Sequence, residues 1–214
     1  MKKILLSLSF LILTSNVLLA QDSKYVSAMK ANITAMDTSF TYPDNFINIA
    51  NNFERIGLAE KDKWLPYYFA SLCVVNNSFM QPDKSKVDEL ADRAAALLDK
   101  ASALVQNNSE ISCLRSMIAS TRLMVNPMQR YMEYGTASAA ELEKAIAEDP
   151  TNPRPYYLKG QALKYTPAQF GGGCPPAMEQ LNIAIEKFKT FKPASEISPN
   201  WGKSSTERVM NECR

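Results

Sequence analysis

From residue 24 onward, apolar positions recur in a three-to-four-residue rhythm. Phe46, Ile49, Ala50, Phe53 and Ile56 form one stripe, and Val87, Leu90, Ala91, Ala94, Leu97, Leu98, Ala101, Leu104 and Val105 form a longer one. Spacings of i, i+3, i+4 and i+7 place such residues on one face of a helix. No useful run alternates with the period of two that a half-buried strand requires. The interruptions read as helix punctuation. Asp83, after Gln81-Pro82, is positioned to cap the long helix that follows, and Ser109, after Asn107-Asn108, to cap the next. Ser138-Ala139-Ala140-Glu141 has capping-box spacing, in which a hydroxyl and a carboxylate satisfy two free backbone amides. The pattern predicts an all-α chain.

The helices also repeat. Segments 56–68, 102–114 and 145–157 lie over one another without gaps, at offsets of 46 and 43 residues. A degenerate fourth copy sets Pro199-Asn200-Trp201 over Pro153-Arg154-Pro155, again 46 residues on. Each copy reads as the end of one helix, a polar turn and the start of the next. Self-similarity at such a period predicts stacked helical hairpins, each burying its apolar face against its neighbours.

Residues 138–185 carry a more specific pattern. Ser138, Leu142, Ala145 and Ile146 take the small and large positions of a second helix, and Asp149-Pro150-Thr151-Asn152 forms the turn after it. Tyr156, Gly160, Ala162 and Leu163 follow on a first helix, then Ala177, Leu181, Ala184 and Ile185 on the next second helix. As an ordered set these resemble the tetratricopeptide repeat. The resemblance implies a short right-handed solenoid of about three to four helical hairpins. It divides the chain into divergent repeats over 21–130, the best-matching repeats over 131–192 and a C-terminal capping region over 193–214, all within one domain. The departures are a 17-residue step from Gly160 to Ala177, where the family has about 12, and a period longer than the usual ~34. The excess falls in the loop Phe170 to Pro176, whose three consecutive glycines predict a flexible insertion. The chain as a whole resembles small exported tetratricopeptide-like proteins of bacterial envelopes.

The N-terminus adds an address. Lys2 and Lys3 precede a mostly apolar run, Ile4 to Leu19, which ends at Ala20 before Gln21-Asp22-Ser23-Lys24. This is the layout of a secretory signal peptide over residues 1–20, with cleavage after Ala20 and a periplasmic or secreted product. The run is short and broken by polar residues, so no stable membrane span is expected after cleavage. Losing two lysines and no carboxylate takes the formal charge from +2 to zero. A neutral chain without basic clusters lacks the electrostatic footprint of a nucleic-acid binder. In an oxidising compartment, Cys174 and Cys213 are the disulfide candidates, a bridge that would tie down the C-terminal tail. Cys73 and Cys113 sit in apolar helical patterns and are expected to be buried and free.

Candidate chemistry is sparse. The chain has no histidine, which removes Ser-His-Asp and Cys-His catalysis and most zinc sites. Carboxylate pairs such as Asp88/Glu89, Glu141/Glu143 and Glu148/Asp149 read as solvated helix faces. Neither catalysis, a metal nor a cofactor is expected. Aromatic residues offer the better lead. Trp64, Tyr67 and Tyr68 open one first helix, Tyr156 and Tyr157 open another, and Arg154 stands beside that second pair. In the resembled family first helices line a concave face where peptides bind, which makes these six the candidate contacts for a protein or peptide partner. Inward packing between helices is the competing reading for each aromatic. Met117, Met124, Met128 and Met132 cluster with Tyr131 and Tyr134, with core filling favoured over a plastic binding patch. The leading expectation is an envelope adaptor. The alternatives are a structural or regulatory subunit of an envelope complex, and a carboxylate-dependent glycan hydrolase.

Overall fold

The computed structural model describes residues 22–40 and 45–214. The expected signal peptide lies outside the described residues. Helix α1 covers residues 22–38. It is followed by α2 (Asn45–Glu60), α3 (Leu65–Met80), a 3-10 turn (Lys84–Lys86), α4 (Val87–Ser102) and α5 (Ser109–Leu123). The second half holds the short α6 (Pro127–Arg130), a π turn (Tyr131–Gly135), α7 (Thr136–Glu148) and α8 (Arg154–Tyr165). A 3-10 turn (Ala168–Phe170), α9 (Cys174–Thr190) and α10 (Lys203–Asn211) complete the chain. Among the described residues there is no strand, and no helix is long and apolar enough to cross a membrane. The fold is all-α, as the periodicity predicts.

Proline punctuates the starts. α3, α6, α8 and α9 each carry proline in their first two positions, where the missing N–H costs no helical bond. Asp83 accepts from the Ser85 N–H at 3.1 Å and so opens the turn leading into α4. The cap of α5 is Asn108 rather than Ser109: its side-chain oxygen accepts from the N–H groups of Glu110 at 3.0 Å and Ile111 at 3.4 Å. Ser138 caps nothing. The chain enters α7 directly from the π turn, leaving no free amides there, and the Ser138 hydroxyl instead meets those of Ser116 (2.8 Å) and Ser120 (3.0 Å).

Each helix packs on the next along the chain, with α7 succeeding α5 across the short α6 and π segment. A second set of contacts joins α3 to α5, α5 to α8 and α8 to α10. These four helices, each the first after one of the repeated boundaries, therefore form a row. α4, α7 and α9 each bridge two successive members of that row. Burial follows position. α3 buries ten consecutive residues, Pro66 to Val75, whereas α4 buries one stripe of Val87, Ala91, Ala94, Leu97, Leu98 and Ala101. Close crossings need small residues. A Cβ on Gly160 would stand 2.7 Å from Leu181 Cγ and 3.1 Å from the Ala177 carbonyl, so α8 and α9 touch through that glycine.

Candidate functional site

At the start of the helix row, three copies of the repeated boundary bring polar groups together out of water. Glu110 stands in the first turn of α5, Arg154 opens α8, and Tyr68 lies in the first turn of α3. The Arg154 side chain is fully buried. Its Nη1 donates to Glu110 Oε1 at 2.9 Å, and its Nη2 donates to the Pro199 carbonyl at 2.6 Å. Tyr68 Oη donates to Glu110 Oε2 at 3.0 Å and accepts from Trp201 Nε1 at 2.8 Å. Asn152 Nδ2 completes the set, donating to Glu110 Oε1 at 2.8 Å and Ser109 Oγ at 3.0 Å. The guanidinium lies between two rings, 4.7 Å from the centroid of Phe191 and 5.1 Å from that of Trp201. Three donors and one cation converge on one carboxylate, as a buried charge requires. Burial still raises the Glu110 carboxyl above its ordinary range against the opposing pull of Arg154, and burial reinforced by Glu110 lifts the Tyr68 phenol well above its own.

The other side of this network is the chain itself. Residues 191–202 run from the end of α9 to α10 as an extended strap across the row. Glu196 reaches Lys30 of α1 at 2.9 Å, Ile197 is buried, Pro199 takes the Arg154 bond, and Trp201 reaches Tyr68 in α3. Trp201 also meets Tyr157 edge-on, with ring centroids 6.5 Å apart. The disulfide Cys174–Cys213 joins the start of α9 to the residues just after α10, holding the strap between two fixed helices. The pairing expected from the sequence is formed, and Cys73 and Cys113 are free and buried.

Of the six candidate contacts, the fold brings Tyr68 and Arg154 into one network, with Tyr157 beside its Trp201. All three are buried, as is Tyr67, which no partner reaches in this conformation. Trp64 and Tyr156 are half-buried. Trp64 packs edge-on against Tyr68, and Lys187 lies over the Tyr156 ring at 4.9 Å. The sequence signal located the right end of the right helices but could not show that a distant segment covers them. Glu110, Asn152, Trp201 and Pro199 were legible only as members of the repeated boundary.

The loop expected to be a flexible insertion is a hydrogen-bonded turn. The Gly173 N–H donates to the Leu163 carbonyl at 2.9 Å and the Gly172 N–H to that of Pro167 at 3.2 Å. Positive φ angles at Gly171 and Gly173 explain the glycines. The methionine cluster also departs from expectation. Met117 is buried, but Met124, Met128 and Met132 are exposed, the last two by 91% and 80%. Of the eleven large apolar side chains exposed among the described residues, four fall between positions 124 and 132. Core filling therefore accounts for only one of these four methionines.

No family model matches the chain, and no curated protein matches it. Among solved structures it is similar to the HusA haemophore from Porphyromonas gingivalis, with a TM-score of 0.81 and 34% sequence identity. The match covers 89% of this chain and 92% of that one. It thus includes both rows of helices and is not confined to the best repeats. With a third of the residues shared across nearly the whole of both chains, this protein belongs to the HusA haemophore family.

Proposed function

We propose that this chain is an exported carrier that binds an iron porphyrin of the haem type. The observation that carries this reading is the end-to-end likeness to a haemophore. A formed disulfide between the start of α9 and the chain end suits an oxidising compartment outside the cytoplasm. Helix content and disulfide also fit a scaffold that needs no movement to stay folded without cargo. With no histidine in the chain, the cargo would be held by apolar and aromatic contact and by a ligand atom other than imidazole.

We further read the helix row as a short right-handed solenoid of the tetratricopeptide kind, with α3, α5, α8 and α10 as first helices. The contacts of α3 with α5, α5 with α8 and α8 with α10 support it. In that reading the strap 191–202 occupies the face on which such solenoids seat peptides. This favours a small-molecule cargo elsewhere over a peptide on the row. Binding rather than catalysis is part of the same proposal, because the most buried carboxylate, Glu110, is committed to Arg154, Tyr68 and Asn152.

The test is a titration of residues 21–214 with ferric haem, followed by the Soret band. A saturable transition at one haem per chain, with micromolar or tighter affinity, is the expected result. Absorbance that rises linearly, as for haem in buffer, would sink the carrier reading. Stoichiometric capture of one envelope protein by that same preparation would then restore the adaptor.

A further inference from the structure

The haem reading leaves open which part of the surface meets the ring, and the residue inventory narrows it. Haem iron is held in proteins by histidine, cysteine, methionine or tyrosine. Histidine is absent from the chain. Cys73 and Cys113 are buried and Cys174 is bonded to Cys213. Methionine and tyrosine remain. Among the described residues four methionines are exposed, Met80, Met124, Met128 and Met132, and three of them lie within nine residues of one another. Tyr131, in the middle of that segment, is one of two exposed tyrosines, the other being Tyr165.

The segment is built to present these side chains. Asn126 accepts from the Gln129 N–H and starts α6, with Pro127 in its first turn. Arg130 then clamps the segment to α4, donating to both carboxylate oxygens of Asp88 at 2.7 and 2.8 Å. The following π turn places the Tyr131 ring against Gly135, where a Cβ would stand 2.9 Å from it, so the ring position depends on glycine there. π turns inside helices occur frequently at functional sites. Beside this ledge Arg122 and Arg130 lie 5.9 and 5.7 Å from the Tyr134 ring centroid and put positive charge on its flank. Asp92, the main partner of Arg122, is 74% exposed, so a carboxylate on a ligand edge can take its place.

We propose that the ledge from Met124 to Met132 receives the porphyrin, with Met128 and Met132 against the macrocycle and the Tyr131 oxygen as the ligand of ferric iron. This rests on the haem-carrier reading. Long, polarisable methionine side chains conform to a flat ring and lose little by doing so, and their exposure in an anchored segment otherwise has no structural return. Outside the cell the iron is ferric. A phenolate oxygen suits that harder ion better than a thioether, which favours softer metals. Bonding is by coordination alone: the phenol releases its proton to water and the iron keeps its oxidation state.

Ferric haem and iron-free protoporphyrin titrated into three proteins test this: the wild type, Met128→Ala/Met132→Ala and Tyr131→Phe. The double variant is expected to bind both rings at least about tenfold more weakly, since two large apolar contacts are lost. Tyr131→Phe is expected to leave the iron-free ring unaffected, weaken ferric haem and shift its Soret band. Helical circular dichroism should be unchanged throughout, because the substituted side chains project outward. Wild-type affinity for haem in the double variant would remove the ledge as the site while leaving the carrier reading intact. An unchanged haem spectrum in Tyr131→Phe would overturn the ligand assignment, and a wild type that binds neither ring would overturn the carrier reading itself.

Discussion

Glu110 and Arg154 come from different hairpins and meet where water is excluded, so each depends on the other to remain tolerable as a charge. The Arg154 side chain is wholly buried, and only its Nε lacks a partner. Replacing a buried pair with apolar groups is often harmless, whereas deleting one member strands the other. Glu110→Ala is therefore expected to cost about 3–5 kcal/mol of stability, read from the urea midpoint. Glu143 provides the contrast. It bonds Lys159 at 2.6 Å with 62% of its side chain exposed, and exposed pairs contribute about 1 kcal/mol or less. Glu143→Ala should leave the midpoint nearly unmoved; equal losses from the two substitutions would contradict the burial described for Arg154.

The link between the ledge and α4 operates at the level of elements. Donation from Arg130, the largest cause, lowers the Asp88 carboxyl below its ordinary range, with the charges of Arg130 and Arg122 adding to it. With the folded pKa depressed, the unfolded chain binds more protons in the interval between the two values. The contribution of the pair is thus present above the ordinary carboxylate pKa of about 4 and is lost as pH falls through the lower, folded value. Asp88 is 40% exposed, so solvent screening limits the effect to about 1 kcal/mol or less. Thermal midpoints measured between about pH 5 and pH 2.5 should decline less steeply for Asp88→Asn than for the wild type. Parallel declines would show that the clamp on the π turn contributes nothing.

For the whole molecule, the strap and the disulfide form one device. The bridge Cys174–Cys213 closes a segment of 39 residues that contains α9, the strap and α10. The chain-entropy estimate for such a loop is roughly 4 kcal/mol, with measured values more often about 2–4. Cys174→Ser/Cys213→Ser is expected to lower stability by that order and to free α10 first, since its packing partners are α9 and α8 alone. Trp201, bonded to Tyr68 at the far side of the strap, should then report the loosening as a red-shifted fluorescence maximum before global unfolding. A single transition without that shift would mean that the Arg154 and Tyr68 contacts hold the strap by themselves.

The helical character, the repeated boundaries, the Cys174–Cys213 pairing and the close crossing at Gly160 were all legible in the sequence, because each depends on local spacing or on compartment chemistry. The membership of the buried network was half legible. The copies at 56–68, 102–114 and 145–157 bring Tyr68, Glu110 and Arg154 to equivalent places, but periodicity cannot say whether that place faces water. Helical spacing states which side chains share a face; what covers the face depends on contacts between residues far apart in the chain. Trp201 lies 133 residues from the Tyr68 hydroxyl it binds, and no short-range pattern encodes that distance. The same limit hid the methionines. Met117 and Met128 look alike in sequence, yet one is enclosed by the helices around α5 and the other stands on an outward turn. The sequence by itself determined the helices, their repeat and their cross-link. Only the tertiary structure decided which apolar residues remained in water, because burial is a property of the neighbours a residue acquires and not of the residue alone.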